Sequence, residues 1–313
     1  MQMTNPSSTI QLQHQGDAFV DDSYLVALAT DSTNPIQSAV DNLSNLGQSW
    51  ERGLFSTGGA INLQKSFWVL LAWKWKAGKA SLLTPDKHQH QLLLTAGYDV
   101  GNLTAVPQLS PHDSYRTLGA YISPAGHMAK AFEVLKEHST LYSTRIQASR
   151  LNREAALWSF LLYLWPKLTF PLMATTFTET QCEQILSSAL RAVLPKLYLN
   201  RNTARSIIHG PVRYEGMNLP HVYTYQGASQ LKFVLGHLRA QDKTLKLILI
   251  NHGYHQFLVG TTTNFLESNY KSCHNLVGST WFVTMWKFLS KLRSGYILHK
   301  HGYLQCLKVM TST

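Results

Sequence analysis

The sequence predicts an α+β fold in which short antiparallel strands come first and helices follow. Three observations carry that expectation. Near the start, the apolar pair Phe19-Val20 and the run Tyr24-Leu25-Val26-Ala27-Leu28 flank Asp21-Asp22, the pattern of a β-hairpin with carboxylates at its tip. From there to residue 126, short apolar runs are punctuated by Gly and Pro. Beyond that the apolar period lengthens to a helical one, with Met128, Ala131, Leu135, Tyr142 and Ile146 near one face.

Taken in order, residues 7–28 are the first hairpin. Asn34-Pro35 starts a helix over 35–56, because Asn caps the first free N–H groups and Pro presets the helical φ. Ile36, Val40, Leu43, Trp50 and Leu54 supply its apolar positions, and Gly58-Gly59 ends it. Strands are expected at 60–63, 67–75 and 80–83, the last two joined by the turn Lys76-Ala77-Gly78-Lys79. Residues 84–113, rich in His, Gln and Pro, read as an irregular insertion with one strand at 91–95. A second strand pair spans 115–122, closed by Ser123-Pro124-Ala125-Gly126. Helices are expected over 128–149, over 153–164 with a stop at Trp165-Pro166, and from Thr178 to Pro195. In the last of these Cys182, Ile185, Leu186, Ala189 and Leu190 face inward. Beyond residue 200 no clear period is set.

The chain has 313 residues, 44% of them hydrophobic, enough for one large domain or two smaller ones with their own cores. Cys182, Cys273 and Cys306 are scattered and odd in number, which fits a reducing compartment. The first residues lack the basic region and apolar core of a signal peptide. The most apolar stretch, 67–75, contains Lys74 and falls short of the ~20 residues of a membrane span. An intracellular protein, nuclear or cytoplasmic and neither secreted nor membrane-embedded, is expected.

Charge is distributed unevenly. The net charge is +11, yet residues 1–60 carry six acids and one base. Residues 127–213 carry eleven Lys or Arg against five Glu, and after Glu267 come six bases and no acid. Acidic then basic segments suit a protein that holds cations and grips a polyanion, although basic surfaces also serve solubility alone. Paired carboxylates on a tight turn offer the oxygen donors that hard divalent cations such as Mg2+ or Mn2+ take. Competing chemistries find less support. The histidine pairs His88/His90, His252/His255 and His299/His301 lack a Cys or carboxylate partner at zinc-site spacing. Neither a Gly-x-Ser-x-Gly turn nor a phosphate-cradling Gly-x-x-x-x-Gly-Lys-Ser/Thr loop occurs. Most of Trp68, Trp73, Trp75, Trp158, Trp165, Trp281 and Trp286 sit in apolar runs, which favours core packing over base stacking.

The box Phe19-Val20-Asp21-Asp22 resembles the aromatic-x-Asp-Asp motif of reverse transcriptases. The landmarks after it resemble that family in order. A helix is followed by Gly58-Gly59-Ala60-Ile61-Asn62-Leu63-Gln64-Lys65-Ser66, similar to the small turn and Asn-x-x-Lys-Ser/Thr stretch of the family. Leu118-Gly119, within a strand pair, resembles the hairpin that grips the primer end. The stretches Pro166-Lys167-Leu168-Thr169-Phe170-Pro171-Leu172 and Pro211-Val212-Arg213-Tyr214-Glu215-Gly216-Met217-Asn218-Leu219-Pro220 resemble the thumb and post-polymerase regions of non-long-terminal-repeat retrotransposon enzymes.

The resemblance implies a partial palm-type antiparallel sheet over 1–126, a helical thumb-like region over 127–210 and a basic post-polymerase region over 211–313. It implies RNA-directed DNA synthesis by two-metal phosphoryl transfer, with an RNA template and a DNA primer as partners. Asp21 and Asp22 would hold Mg2+ or Mn2+, Lys65 would neutralise the leaving pyrophosphate, and Phe19 would be an apolar platform beside the nucleotide or primer terminus. Leu118 and Gly119 would contact the primer, and Lys196, Arg201 and Arg205 would meet phosphates. The chain departs from the family in one respect: only eighteen residues precede Phe19, too few for the fingers and the first catalytic aspartate. The expectation is therefore a carboxy-terminal part of such an enzyme, inactive alone, whose site an upstream segment or second chain completes. The alternative is a non-catalytic nucleic-acid-binding remnant.

Overall fold

The computed structural model describes residues 2–19, 22–83, 90–95, 101–262, 264–292, 297–298 and 304–305. It contains both helices and small sheets, an α+β composition, and divides into two compact units. The first comprises Leu12–Leu118 with Met1–Met3 and Ile122–His127; the second comprises Met128–Thr313 with Thr4–Gln11 and Gly119–Tyr121.

At the start, β1 (Gln2–Thr4) pairs with β2 (Gln11–Gln13), and β3 (Gly16–Phe19) pairs antiparallel with β4 (Asp22–Leu25). The single hairpin expected over 7–28 is thus two strand pairs. Asn5 organises the turn between the first two strands: its amide reaches Ser7 Oγ at 2.8 Å and Thr9 Oγ1 at 2.9 Å, while its Oδ1 accepts from Ile10 N–H at 2.9 Å. That is the local side-chain-to-backbone bonding Asn favours in turns.

Helix α1 (Pro35–Ser56) has the residues expected, with Pro35 in its first turn, Asn34 Oδ1 accepting from Gln37 N–H, and Gly58 in the left-handed region just beyond its end. Val40 packs in the unit's core with Leu63, Trp68, Leu70, Leu92, Leu94 and Val106. Strand β5 (Trp68–Val69) is short. β6 (Trp73–Lys76) and β7 (Lys79–Leu82) form a hairpin whose two central residues, Ala77 and Gly78, both have positive φ, as a type I′ turn requires. β8 (Leu92–Leu94), inside the expected 91–95 strand, pairs with β9 (Thr104–Val106), and β10 (Gln108–Leu109) pairs parallel with β5. β11 (Tyr115–Thr117) and β12 (Ala120–Ile122) form the second expected strand pair.

Two expectations in this region change. Residues 60–63 are not a strand: Ile61 N–H donates to the buried Glu51 carboxylate at 2.8 Å, and Asn62 O accepts from Lys65 N–H and Ser66 N–H. The backbone groups a ladder needs are consumed by a carboxylate and a turn. The strands also pair only two by two among the described residues, so no wider sheet is seen there.

The second unit is helical. α2 (Ala129–Ala148) presents Ala131, Leu135, Tyr142 and Ile146 inward, as its periodicity predicts. α3 (Arg153–Ser159) does not stop at Pro166; it continues through a π-turn (Phe160–Leu164) into α4 (Trp165–Thr169) and a 3-10 turn (Phe170–Ala174). Trp165 N–H donates to Phe160 O, which shifts the ladder by one residue just where Pro166 has no N–H to give. Tertiary packing supports the run. Phe160, Leu164, Leu168 and Leu172 are fully buried, and burying one such side chain contributes about 1.5–3 kcal/mol.

α5 (Glu179–Lys196) begins with a reciprocal capping box between Thr178 and Gln181 and buries all five residues expected to face inward. It is followed by α6 (Arg205–His209), α7 (Val222–Ala240), α8 (Lys243–Val259), α9 (Tyr270–Cys273) and α10 (Trp281–Lys291). Ile297–Leu298 pairs antiparallel with Leu304–Gln305. One core cluster runs from Ala131 to Tyr223 and includes Phe288; a second joins Val234, Leu245, Phe265, Met285 and Trp286. The helices on either side of residue 210 therefore share a core. The buried Gln226 of α7 ties that helix to the segment before α5: it accepts from Thr175 Oγ1 at 2.9 Å and Phe177 N–H at 3.2 Å, and donates to Phe177 O at 3.0 Å.

Candidate functional site

The hairpin β3–β4 carries the proposed site. Its register sets Gly16 opposite Leu25, Asp17 opposite Tyr24, Ala18 opposite Ser23, and Phe19 opposite Asp22. Val20 and Asp21 are the two residues between the paired ends, and both lie outside the described residues. Gly16 is needed for packing, since a Cβ there would overlap the Tyr24 carbonyl. Asp22 is exposed at the end of β4. Tyr24, two residues on, shares its face.

The other carboxylate on this hairpin is committed. Tyr24 Oη–H donates to Asp17 Oδ2 at 2.8 Å, and His14 Nε2 lies 2.9 Å from the same hydroxyl. Burial, then the hydrogen bond and charge of Asp17, push the Tyr24 phenol up to about 12. Tyr24 therefore stays a neutral donor at physiological pH and keeps Asp17 Oδ2 occupied. Asp21 and Asp22 are the oxygen donors a hard cation takes; among the described residues, which do not include Asp21, no group of three His, Cys, Asp or Glu could hold a metal ion.

The remaining residues divide between the two units. Lys65 lies in an exposed turn rather than at a strand end, its N–H held by Asn62; no hydrogen bond or ion pair links it to Asp22 among the described residues. Leu118 and Gly119 form the tip between β11 and β12, both at positive φ (47° and 85°), and Leu118 is exposed. In the helical unit a Cβ at Gly119 would stand 3.1 Å from Phe170 Cε1, so close approach as well as φ favours glycine. Arg201 and Arg205 are exposed, in a turn and at the start of α6. Lys196 is half-buried and donates to Ser149 O at 2.6 Å, tying the end of α5 to the end of α2.

The histidine pair that can be described is satisfied by protein groups. His252 Nε2 meets Asn264 Oδ1 at 3.1 Å; His255 meets Asn251 O at 2.7 Å and Thr280 Oγ1 at 2.9 Å. His88, His299 and His301 lie outside the described residues, as does Cys306. Sequence reasoning missed the His14–Tyr24–Asp17 cluster, whose signal was the cross-strand register, and misjudged Trp73, Trp75 and Trp158, which are exposed. No helix among the described residues is long and apolar enough to cross a membrane. No protein-family model, curated protein or solved structure matches the chain.

Proposed function

We propose that the chain supplies the metal-holding hairpin and the helical thumb of an RNA-directed DNA polymerase, a reverse transcriptase of the non-long-terminal-repeat retrotransposon type. The observation that supports this best is the β3–β4 register, which ends with Phe19 paired to an exposed Asp22 and leaves Val20-Asp21 between them. In this reading residues 1–126 are part of a palm, 127–210 a thumb, and Mg2+ or Mn2+ is held by Asp21 and Asp22. The cation would stabilise charge on the transferring phosphoryl group. Lys65, Leu118-Gly119, Arg201 and Arg205 would serve leaving group, primer and template. In this reading an upstream segment or a second chain supplies a further carboxylate, since Asp17 Oδ2 already accepts from Tyr24.

The commitment of Asp17 also favours a second reading, a non-catalytic nucleic-acid-binding remnant. A Mn2+ titration followed by amide NMR separates the two. For the polymerase reading, line broadening is confined to the 16–25 hairpin and is abolished by Asp21→Asn with Asp22→Asn. Broadening spread evenly over surface carboxylates leaves the remnant reading. Primer extension by the chain alone is expected to be absent, since a missing ligand misplaces the attacking oxygen at a cost on the order of 100-fold or more. Extension that Asp21→Ala abolishes would show that this chain holds a full ligand set.

A further inference from the structure

We propose that the β6–β7 hairpin is a stacking platform for single-stranded nucleic acid. Along β6, Trp73 and Trp75 alternate with Lys74 and Lys76, so the two indoles share one face and the lysines the other. Across the pair, Trp75 stands opposite Ala80, and Trp73 opposite Leu82. The small Ala80 leaves the larger ring uncovered. Trp73 is 57% and Trp75 73% exposed, although indoles are ordinarily mostly buried.

Alternate strand residues stand about 6.7 Å apart. That is roughly twice the 3.4 Å repeat of stacked nucleotides, so adjacent unstacked bases could each take one ring.

The charge on the hairpin selects a polyanion. Lys76 and Lys79 are directly opposite each other at the turn, an arrangement of like charges that destabilises a strand pair. No described carboxylate forms a salt bridge with Lys74, Lys76 or Lys79. From Arg52 through Pro85 the chain carries five bases and no acid. A flexible strand can lay bases on the indole face and bend its phosphates round the narrow ribbon to the lysines. A flat anionic bilayer meets only one face at a time. The inference does not depend on the polymerase reading: it uses neither Asp21 nor Asp22.

The test uses the full chain with a 20-nucleotide oligodeoxythymidylate, an abasic oligonucleotide of equal length, and vesicles of phosphatidylcholine and phosphatidylserine. Trp73→Ala with Trp75→Ala should weaken oligodeoxythymidylate binding on the order of tenfold for each indole removed. Trp73→Phe with Trp75→Phe keeps the aromatic faces and should retain most of the affinity, which separates stacking from misfolding. Replacing Lys74, Lys76 and Lys79 by Gln should flatten the salt dependence by about 0.7 log units for each phosphate they engage. The abasic strand should bind the native chain more weakly than oligodeoxythymidylate does. Equal binding of the alanine variant and the native chain overturns the proposal, as does equal binding of abasic and base-bearing strands, or tighter binding to vesicles than to oligonucleotide. Trp73→Ala with Trp75→Ala should leave the Mn2+ broadening of the 16–25 hairpin as it is in the native chain, so failure here and failure of the metal site are read separately.

Discussion

Tyr24 and His252 show how a residue's chemistry depends on what surrounds it. Both are ordinary titratable groups in the sequence; the half-exposed Tyr24 is pushed up by partial desolvation and the Asp17 carboxylate, and His252 is pushed down by burial among rings. His252 lies 5.0 Å from the Phe265 ring centre, with His255 nearby opposing its charge and Asn264 partly offsetting the shift. His209 and His221 are lowered for the same leading reason, burial, with Arg205 opposing their charge and Glu183 favouring it. A histidine whose folded pKa is depressed binds its proton more readily in the unfolded chain. The stability it contributes is present above the unfolded pKa near 6.5 and falls away as pH drops below it. The helical unit should therefore melt at a lower temperature at pH 5.5 than at pH 7.5, and the difference should shrink in His252→Gln. Equal melting temperatures at the two pH values would show that these imidazoles gain their protons without cost to the fold.

At the scale of elements, helix pairing turns on side-chain volume. Gly227 of α7 faces Phe288 of α10, and a Cβ there would fall inside the ring. Gly227→Ala should cost about 1–3 kcal/mol through overpacking, which lowers the melting temperature by several degrees. In a Phe288→Ala background the penalty should vanish, because the two changes share one space. Equal penalties in both backgrounds would show that the Phe288 ring does not set the cost, since the helix backbone itself favours Ala over Gly. Helix α1 was legible because Asn34, Pro35 and Gly58 act locally. The continuation through Pro166 was not, because a π-turn held by Phe160 and Leu164 is a tertiary matter. The missing strand at 60–63 has the same origin: the partner of Ile61 is Glu51, ten residues back.

At the scale of the molecule, charge is the property that reaches furthest. The segment 127–213 carries net charge +6, and Arg201 and Arg205 stand exposed within it. Binding to a primer–template should weaken steeply with salt. Reversing both arginines to Glu should weaken binding and reduce the salt slope by roughly 0.7–0.9 log units for each phosphate no longer neutralised, without changing sequence preference. A salt titration that finds the same slope for both proteins would exclude these arginines from phosphate binding. Lys196, read from the sequence beside them, is engaged by Ser149 O, so its replacement bears first on the α2–α5 packing.

By itself the sequence determined the mixed class, the hairpin around Asp21-Asp22, the limits of α1, the inward face of α5 and the basic helical half. Each of these rests on local rules: alternation, capping, turn chemistry and charge count. Only the tertiary structure decided that Asp17 belongs to Tyr24, that Glu51 takes the Ile61 amide, and that Trp73 and Trp75 stand in solvent while Trp68 and Trp286 are buried. An apolar run states that a side chain gains by burial. Which residues find a covering partner depends on strands and helices distant in the chain, and no local pattern encodes that.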